Sequence, residues 1–277
     1  MPRPLVMGVV NVTPDSFSDG GRYVEPRAAV AHGLALVEAG ADVLDVGGES
    51  TRPGATRPLV AEELARVVPV ISELAAAGAT VSVDTMRAEV ARAALEAGAA
   101  IVNDVSGGLA DPAMLPTVAA SDATYVAMHW RAHADRMADL ADYPDGVVPT
   151  VRRELAVRVE AAVAAGVPLE RLVLDPGLGF AKRPAHNWEL LRGLDELASL
   201  GARLLVGASR KSFLGALLAD GAGEPRPVDA REAAHLAVVL HCARAGVWGV
   251  RVHDVGSACD ALAARAALED PTSAAGG

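Results

Sequence analysis

Eight short runs rich in β-branched residues alternate with longer stretches of helical spacing, and that alternation leaves few folds open. The candidate strands are 6–13, 42–48, 80–85, 100–107, 124–130, 171–177, 203–209 and 248–254. Between them, 26–40, 61–78, 88–98, 148–166 and 187–200 read as helices. In the first, Val30, Leu34 and Val37 share a face and Gly40 provides the stop. The strings ALVEAGADV, ELAAAGATV, AALEAGAAI and AAVAAGVPL repeat one event. A helix ends, a glycine able to take positive φ follows, and the chain steps into the next strand. Such repetition either closes into a barrel or opens into a doubly wound sheet. Eight strands in 277 residues favour an α/β (β/α)8 TIM barrel, a fold of about 250 residues. The first helix also lacks a tight GxGxxG opening, since Gly20 and Gly21 sit in a longer loop. Without a linker or composition break, residues 1–268 read as a single domain, and 269–277 as a small polar tail expected to be disordered.

Half of the chain is hydrophobic and only 3% aromatic, which suits a close-packed helix–sheet interface of small branched side chains. A net charge of -10 argues against nucleic-acid or membrane-surface binding, because both usually need a basic patch. The N-terminus lacks the apolar core of a signal peptide, and no run of about 18 apolar residues occurs. A cytoplasmic enzyme acting on small molecules is the expectation. Cys242 and Cys259 match no zinc or redox spacing and read as reduced, packed thiols in helices.

Barrel chemistry lies at the C-terminal ends of the strands. In chain order those ends carry Asn11, Asp45 with Glu49, Asp84, Asn103 with Asp104, and His129 with Arg131. Asp175, the run 209–212 (SRKS) and Arg251 to Asp254 complete the series. An aspartate after a strand is often only a helix cap or turn residue. Caps do not explain carboxylates inside apolar runs such as VLDVGG, SVDT and VNDV, where an unmatched charge costs on the order of several kcal/mol. A ligand is the simpler partner. Barrel phosphate sites often use the loops after the seventh and eighth strands, where this acidic chain gathers Arg210, Lys211, Arg251 and His253. GASRKS is not a GxxxxGK[ST] loop, so a phosphorylated small molecule fits better than a nucleotide triphosphate. The loops 13–21 (TPDSFSDGG) and 47–54 (GGESTRPG) exceed the usual ~2–6 residues and read as binding loops.

The strings MGVVNVTPDSFSDGG, DVGGESTRPGA, SVDTMRAEVARAALEAGA, VNDVSGG, LDPGLGFAK, GASRKSFLG and GVRVHDV closely resemble the dihydropteroate synthase family. They run in the family's order from Met7 to about Val255. The resemblance implies a (β/α)8 barrel that condenses 6-hydroxymethyl-7,8-dihydropterin pyrophosphate with 4-aminobenzoate. The products would be 7,8-dihydropteroate and pyrophosphate, a step of folate synthesis. It also implies a pterin slot of Asp84, Asn103, Asp175 and Lys211, with Met128 and Phe180 beside it. Asn11, Arg52, Arg251 and His253 would hold pyrophosphate, with Mg²⁺ bridging it to Asn11. Pro14, Phe17, Thr51, Pro53, Phe180 and Ser212 would form the aminobenzoate pocket, where sulfonamides compete. Asp19, Lys211, Arg251 and His253 would serve catalysis, in a homodimer typical of the family. A dissociative course fits, since the electron-rich dihydropterin can carry a methylene cation and an arylamine needs no strong base.

Two rivals differ in features that can be read from the chain. A methyltetrahydrofolate-dependent methyltransferase would share the slot but has no use for a pyrophosphate site. A catalytically silent pterin-binding paralogue would be expected to lose loop residues or a phosphate ligand, and none is missing here. Residues 132–149 match no family string, so Arg131 and His133 receive no role.

Overall fold

The structure, a computed structural model, describes residues 3–12, 24–49, 58–132 and 140–269. Eight parallel strands close into a barrel in sequence order: β1 (Leu5–Asn11), β2 (Val43–Gly47), β3 (Val81–Asp84) and β4 (Ile101–Asp104), then β5 (Thr124–Met128), β6 (Leu172–Asp175), β7 (Arg203–Gly207) and β8 (Gly249–Val252). The β1–β8 pairing that completes the ring joins Leu5 to Gly249 and Gly8 to Val252. The barrel expected from the alternation is the one observed; seven candidate strands contain the observed one, and the first overlaps β1, which begins one residue earlier at Leu5.

The helices are α1 (Val24–Glu38), α2 (Val60–Ala76), α3 (Ala88–Glu96), α4 (Met114–Ala119), α5 (Val147–Ala164), α6 (Pro184–Arg192), α7 (Leu194–Ala198), α8 (Ser212–Leu217), α9 (Glu232–Arg244) and α10 (Val255–Glu269). Glu269, expected in the tail, is helical, the last of the described residues, and accepts from Arg265 Nε. The single helix expected over 187–200 is instead two. Gly193 caps both α6 and α7, and a Cβ there would come within 2.8 Å of Val148 on α5, so the chain turns where it touches its neighbour. The short α4 lacks enough turns to show a period in the sequence. Cys242 is buried in α9 and Cys259 lies on α10, both as free thiols. No helix among the described residues is long and apolar enough to cross a membrane.

Strand alternation sorts the side chains into two cores. Val6, Val10, Leu44, Val46, Val81, Val83, Leu172 and Leu174 point outward and pack with the helices. Met7, Val43, Ile101, Val126, Val173 and Leu205 point inward and fill the barrel floor. Two residues further along, the inward face turns polar on β2, β4 and β6, at Asp45, Asn103 and Asp175. Register sets Asn11 beside Gly47, Gly47 beside Asp84, and Asp84 beside Asn103. Met128 pairs with Asp175, and Gly207 with Arg251. The mouth is therefore a ring of polar groups above an apolar plug.

Asp104 shows how one residue of offset changes a role. It follows Asn103 on β4 and so faces the helix layer. There its carboxylate accepts the Ser106 N–H and hydroxyl, the Gly108 N–H and the Tyr125 hydroxyl at 2.8 Å. Burial raises its pKa, while these bonds oppose the rise. Asp104 is a structural hub behind the ring, not part of it. Tyr125→Phe should lower stability by about 1–2 kcal/mol in denaturant unfolding, the worth of one buried hydrogen bond, and leave ligand binding at the mouth intact.

Candidate active site

The mouth is organised around Asp45, fully buried on the inner face of β2. Its Oδ2 accepts Asn103 Nδ2 at 3.0 Å and Arg251 Nε at 2.6 Å. Arg251 also donates through Nη2 to Asp84 Oδ2 at 2.9 Å. Neither bond uses Nη1, so the guanidinium can meet an anion without leaving its carboxylates. One guanidinium cannot neutralise two buried carboxylates. Burial and the neighbouring Asp45 therefore push Asp84 up to about 7, against the pull of Arg251. Asp45 Oδ1 has no hydrogen-bond partner among the described residues, an opening for a donor brought by a ligand.

Asp175 closes β6 across the mouth. Its Oδ1 accepts the Gly177 N–H at 2.7 Å. Burial raises its pKa, while Lys211, the Gly177 N–H, Arg251 and Lys182 pull it back toward the ionised form. Lys211, the residue preceding α8, donates to the Leu178 carbonyl, and its Nζ stands 5.0 Å from the Phe180 ring. Burial lowers Lys211 to about 8. Phe180 packs with Met86, Val105 and Met128 into an apolar wall beside these polar groups. A flat ligand with a polar edge is what such a slot fits.

His253 follows β8. Its Nδ1 lies 3.0 Å from Ser209 Oγ, which also accepts the His253 backbone N–H. That hydroxyl can then donate to Nδ1, leaving the proton on Nε2. Burial, then Arg210 and Arg251, lower His253 to about 3, so the ring is a neutral donor. Arg210 is exposed, with φ +63. Asn11 ends β1, half-buried on the same rim.

The structure thus gathers Asp84, Asn103, Asp175, Lys211, Arg251, Met128 and Phe180 at one mouth, with Asn11 and His253 on its rim. Ser212 is the exposed first residue of α8, next to Lys211. Pro14, Phe17, Asp19, Thr51, Arg52 and Pro53 lie outside the described residues. Asp45 was visible in the sequence as a strand-end carboxylate but received no role. Its inward position, two residues before Gly47 on the same face, was the signal. Lys182 and Glu154 gave none, because neither ends a strand.

The chain matches the model of the pterin binding enzymes over residues 7–253. The chain belongs to the pterin-binding enzyme family. Within it the chain stands among the dihydropteroate synthases, transferases of folate synthesis. A dihydropteroate synthase of Mycobacterium leprae is 58% identical over 258 residues, covering 93% of this chain and 90% of the relative. The Xanthomonas albilineans dihydropteroate synthase solved with 4-aminobenzoic acid superposes with a TM-score of 0.88 at 47% identity, covering 97% of this chain and 94% of that one. The same organism's enzyme in complex with 7,8-dihydropteroate gives 0.85 at 44% identity, with 97% and 94% covered.

For this pterin-binding enzyme the charge of the mouth carries a pH signature. The folded pKa of Asp84 lies above its ordinary 3.8, so the folded state binds that proton more tightly. Its contribution to stability is present in acid and lost as pH rises from about 4 through about 7. Thermal unfolding of Asp84→Asn should show a smaller decline in Tm across that window than the parent protein. Parallel curves would contradict the raised pKa.

Proposed function

We propose that this chain condenses 6-hydroxymethyl-7,8-dihydropterin pyrophosphate with 4-aminobenzoate, releasing pyrophosphate and 7,8-dihydropteroate. The observation that carries this is the pairing of one polar-edged slot, Asp84, Asn103 and Asp175 beside Phe180, with basic groups at the same mouth. A pterin edge offers N–H donors and an acceptor nitrogen, which carboxylates and an amide match. In this reading Asp175 accepts from the pterin 2-amino group and ring N–H, while Asn103 and Asp84 complete the edge. Lys211 turns to the ring carbonyl, and Met128 and Phe180 enclose the ring. Groups so placed reject analogues that would leave them unpaired.

Arg251 and His253, with Arg52 and Asn11, take the pyrophosphate. The neutral His253 donates from Nε2, and Arg251 offers Nη1 while Asp45 and Asp84 keep its plane fixed. Among the described residues no group of three or more His, Cys, Asp or Glu could hold a metal. The amide oxygen of Asn11 suits Mg²⁺, which keeps its waters and accepts one protein oxygen beside phosphate oxygens. When bound, Mg²⁺ would neutralise charge on the departing pyrophosphate.

The reaction proceeds by dissociation. The C–O bond to pyrophosphate breaks, the electron pair leaves with the pyrophosphate, and the dihydropterin carries the methylene cation. The aminobenzoate nitrogen then attacks and sheds its proton. Arg251 and His253 stabilise the leaving group, and Asp19 faces the cation. Pro14, Phe17, Thr51, Pro53, Phe180 and Ser212 hold the aminobenzoate, where a sulfonamide competes. Resemblance to a family of homodimers supports pairing of two such chains, which light scattering tests.

Pyrophosphate release that depends on 4-aminobenzoate is the deciding assay, and its absence would favour a methyltransferase or a silent pterin binder. Asp175→Asn should abolish pterin binding with the fold retained. Near-normal affinity in calorimetry would remove Asp175 from the slot. Asp19→Ala should lower kcat far more than pterin affinity, and an unchanged kcat would exclude it from the cation's surroundings.

A further inference from the structure

Joined to the slot through the Phe180 carbonyl is a second polar cluster that the proposed reaction does not use. Lys182 Nζ is 2.9 Å from His129 Nδ1 and donates to the Phe180 carbonyl at 3.0 Å. His129 Nε2 is 2.7 Å from Glu154 Oε2 on α5. Arg131 grips both oxygens of Glu154, at 3.1 and 2.7 Å, and donates to the carbonyls of Leu140 and Asp142.

We propose that Lys182 is a positioning residue of the pterin slot, held by His129 and Glu154 so that its ammonium fixes the 176–183 segment against Asp175 and Phe180. This rests on the pterin-slot reading given above. Burial and the charge of Lys182 lower His129 to about 4, so its ring is neutral. Nδ1 then accepts from Lys182 while the Nε2 proton goes to Glu154. Burial alone would raise Glu154, yet the bonds from His129 and Arg131 outweigh it and hold the carboxylate at about 2. The chain of donors has one direction, from Lys182 through His129 to an ionised Glu154.

The segment also has neutral anchors. Tyr143 already donates to the Ala181 carbonyl at 3.0 Å, Asn187 accepts the Gly179 N–H at 2.7 Å, and Asn187 donates to the Arg183 carbonyl at 2.9 Å. They hold a turn that also presses on its neighbour. A Cβ at Gly177, where φ is +66, would lie 2.4 Å from the His129 carbonyl oxygen. Adding a cation to so enclosed a place is unfavourable unless its charge is used. Burial, with Lys211 and Arg131, brings Lys182 down to about 7 against the opposing pull of Asp175 and Glu154. Its counterpart is Asp175, the carboxylate assigned to the pterin edge. Lys182 opposes the rise that burial imposes on that carboxylate, and does so still when Lys211 turns to the pterin. Through the Phe180 carbonyl it also sets the wall on which the ring lies.

Calorimetry with 6-hydroxymethyl-7,8-dihydropterin pyrophosphate tests this on the full chain. Lys182→Met should weaken pterin binding roughly tenfold, as expected for one hydrogen bond to a charged group, with Tm little changed. His129→Asn places an amide oxygen where Nδ1 stood and should recover most of the affinity. His129→Leu offers Lys182 no acceptor and should match Lys182→Met. Unchanged pterin affinity in Lys182→Met, or equal affinities in the two His129 variants, would overturn the proposal. If Lys182→Met does not fold, the His129 pair decides alone. A parent protein that does not bind the pterin would instead overturn the functional reading on which this one rests.

Discussion

A carboxylate sealed inside a closed barrel must be answered by its neighbours, and the answer to Asp45 arranges the whole mouth. Its Oδ2 draws Asn103 from β4 and Arg251 from β8, strands on different sides of the ring. Arg251, so held, reaches Asp84 on β3 and leaves that second carboxylate undercompensated, with its pKa near 7. Orientation, charge and protonation at the mouth thus follow from one buried ion. A buried pair of this kind is weak evidence for stability and better evidence for a site kept ready. The preorganisation matters because donors fixed before the substrate arrives need no rearrangement as charge develops.

The far side of the mouth solves the same problem with surplus cations. Asp175 is flanked by Lys211 and Lys182, and both amines are held below their ordinary range by burial. Each also donates to a carbonyl of the 176–183 segment, Lys211 to Leu178 and Lys182 to Phe180. Charge balance and loop shape are therefore the same set of contacts. The apolar wall of Met86, Val105, Met128 and Phe180 lies between the two sides and offers the flat face that a ring system needs.

Much of this was legible in the sequence, and what was missed has physical causes. Strand–helix repetition with glycine stops specified the barrel because each unit obeys local rules. Polar residues in apolar runs marked the mouth because a buried carboxylate needs a partner, although for Asp104 that partner proved to be the protein itself. The break at Gly193 escaped notice because a glycine inside a helical pattern becomes a turn only when a neighbour such as Val148 presses on it. Asn103 and Asp104 looked equivalent as strand ends. Only the direction of each side chain separated the slot residue from the one that anchors Tyr125.

The sequence by itself determined the order of elements, the closed parallel architecture and most of the groups that line the mouth, since all of these rest on short-range periodicity and strand-end chemistry. The tertiary structure alone decided which charges meet. Asp45 and Arg251 are separated by 206 residues and Lys182 and His129 by 53, yet each pair is within hydrogen-bond distance. Closure of the barrel brings such residues together, and burial then fixes their protonation. Neither effect leaves a trace in a local pattern, because both depend on which strands become neighbours and on how much water they exclude.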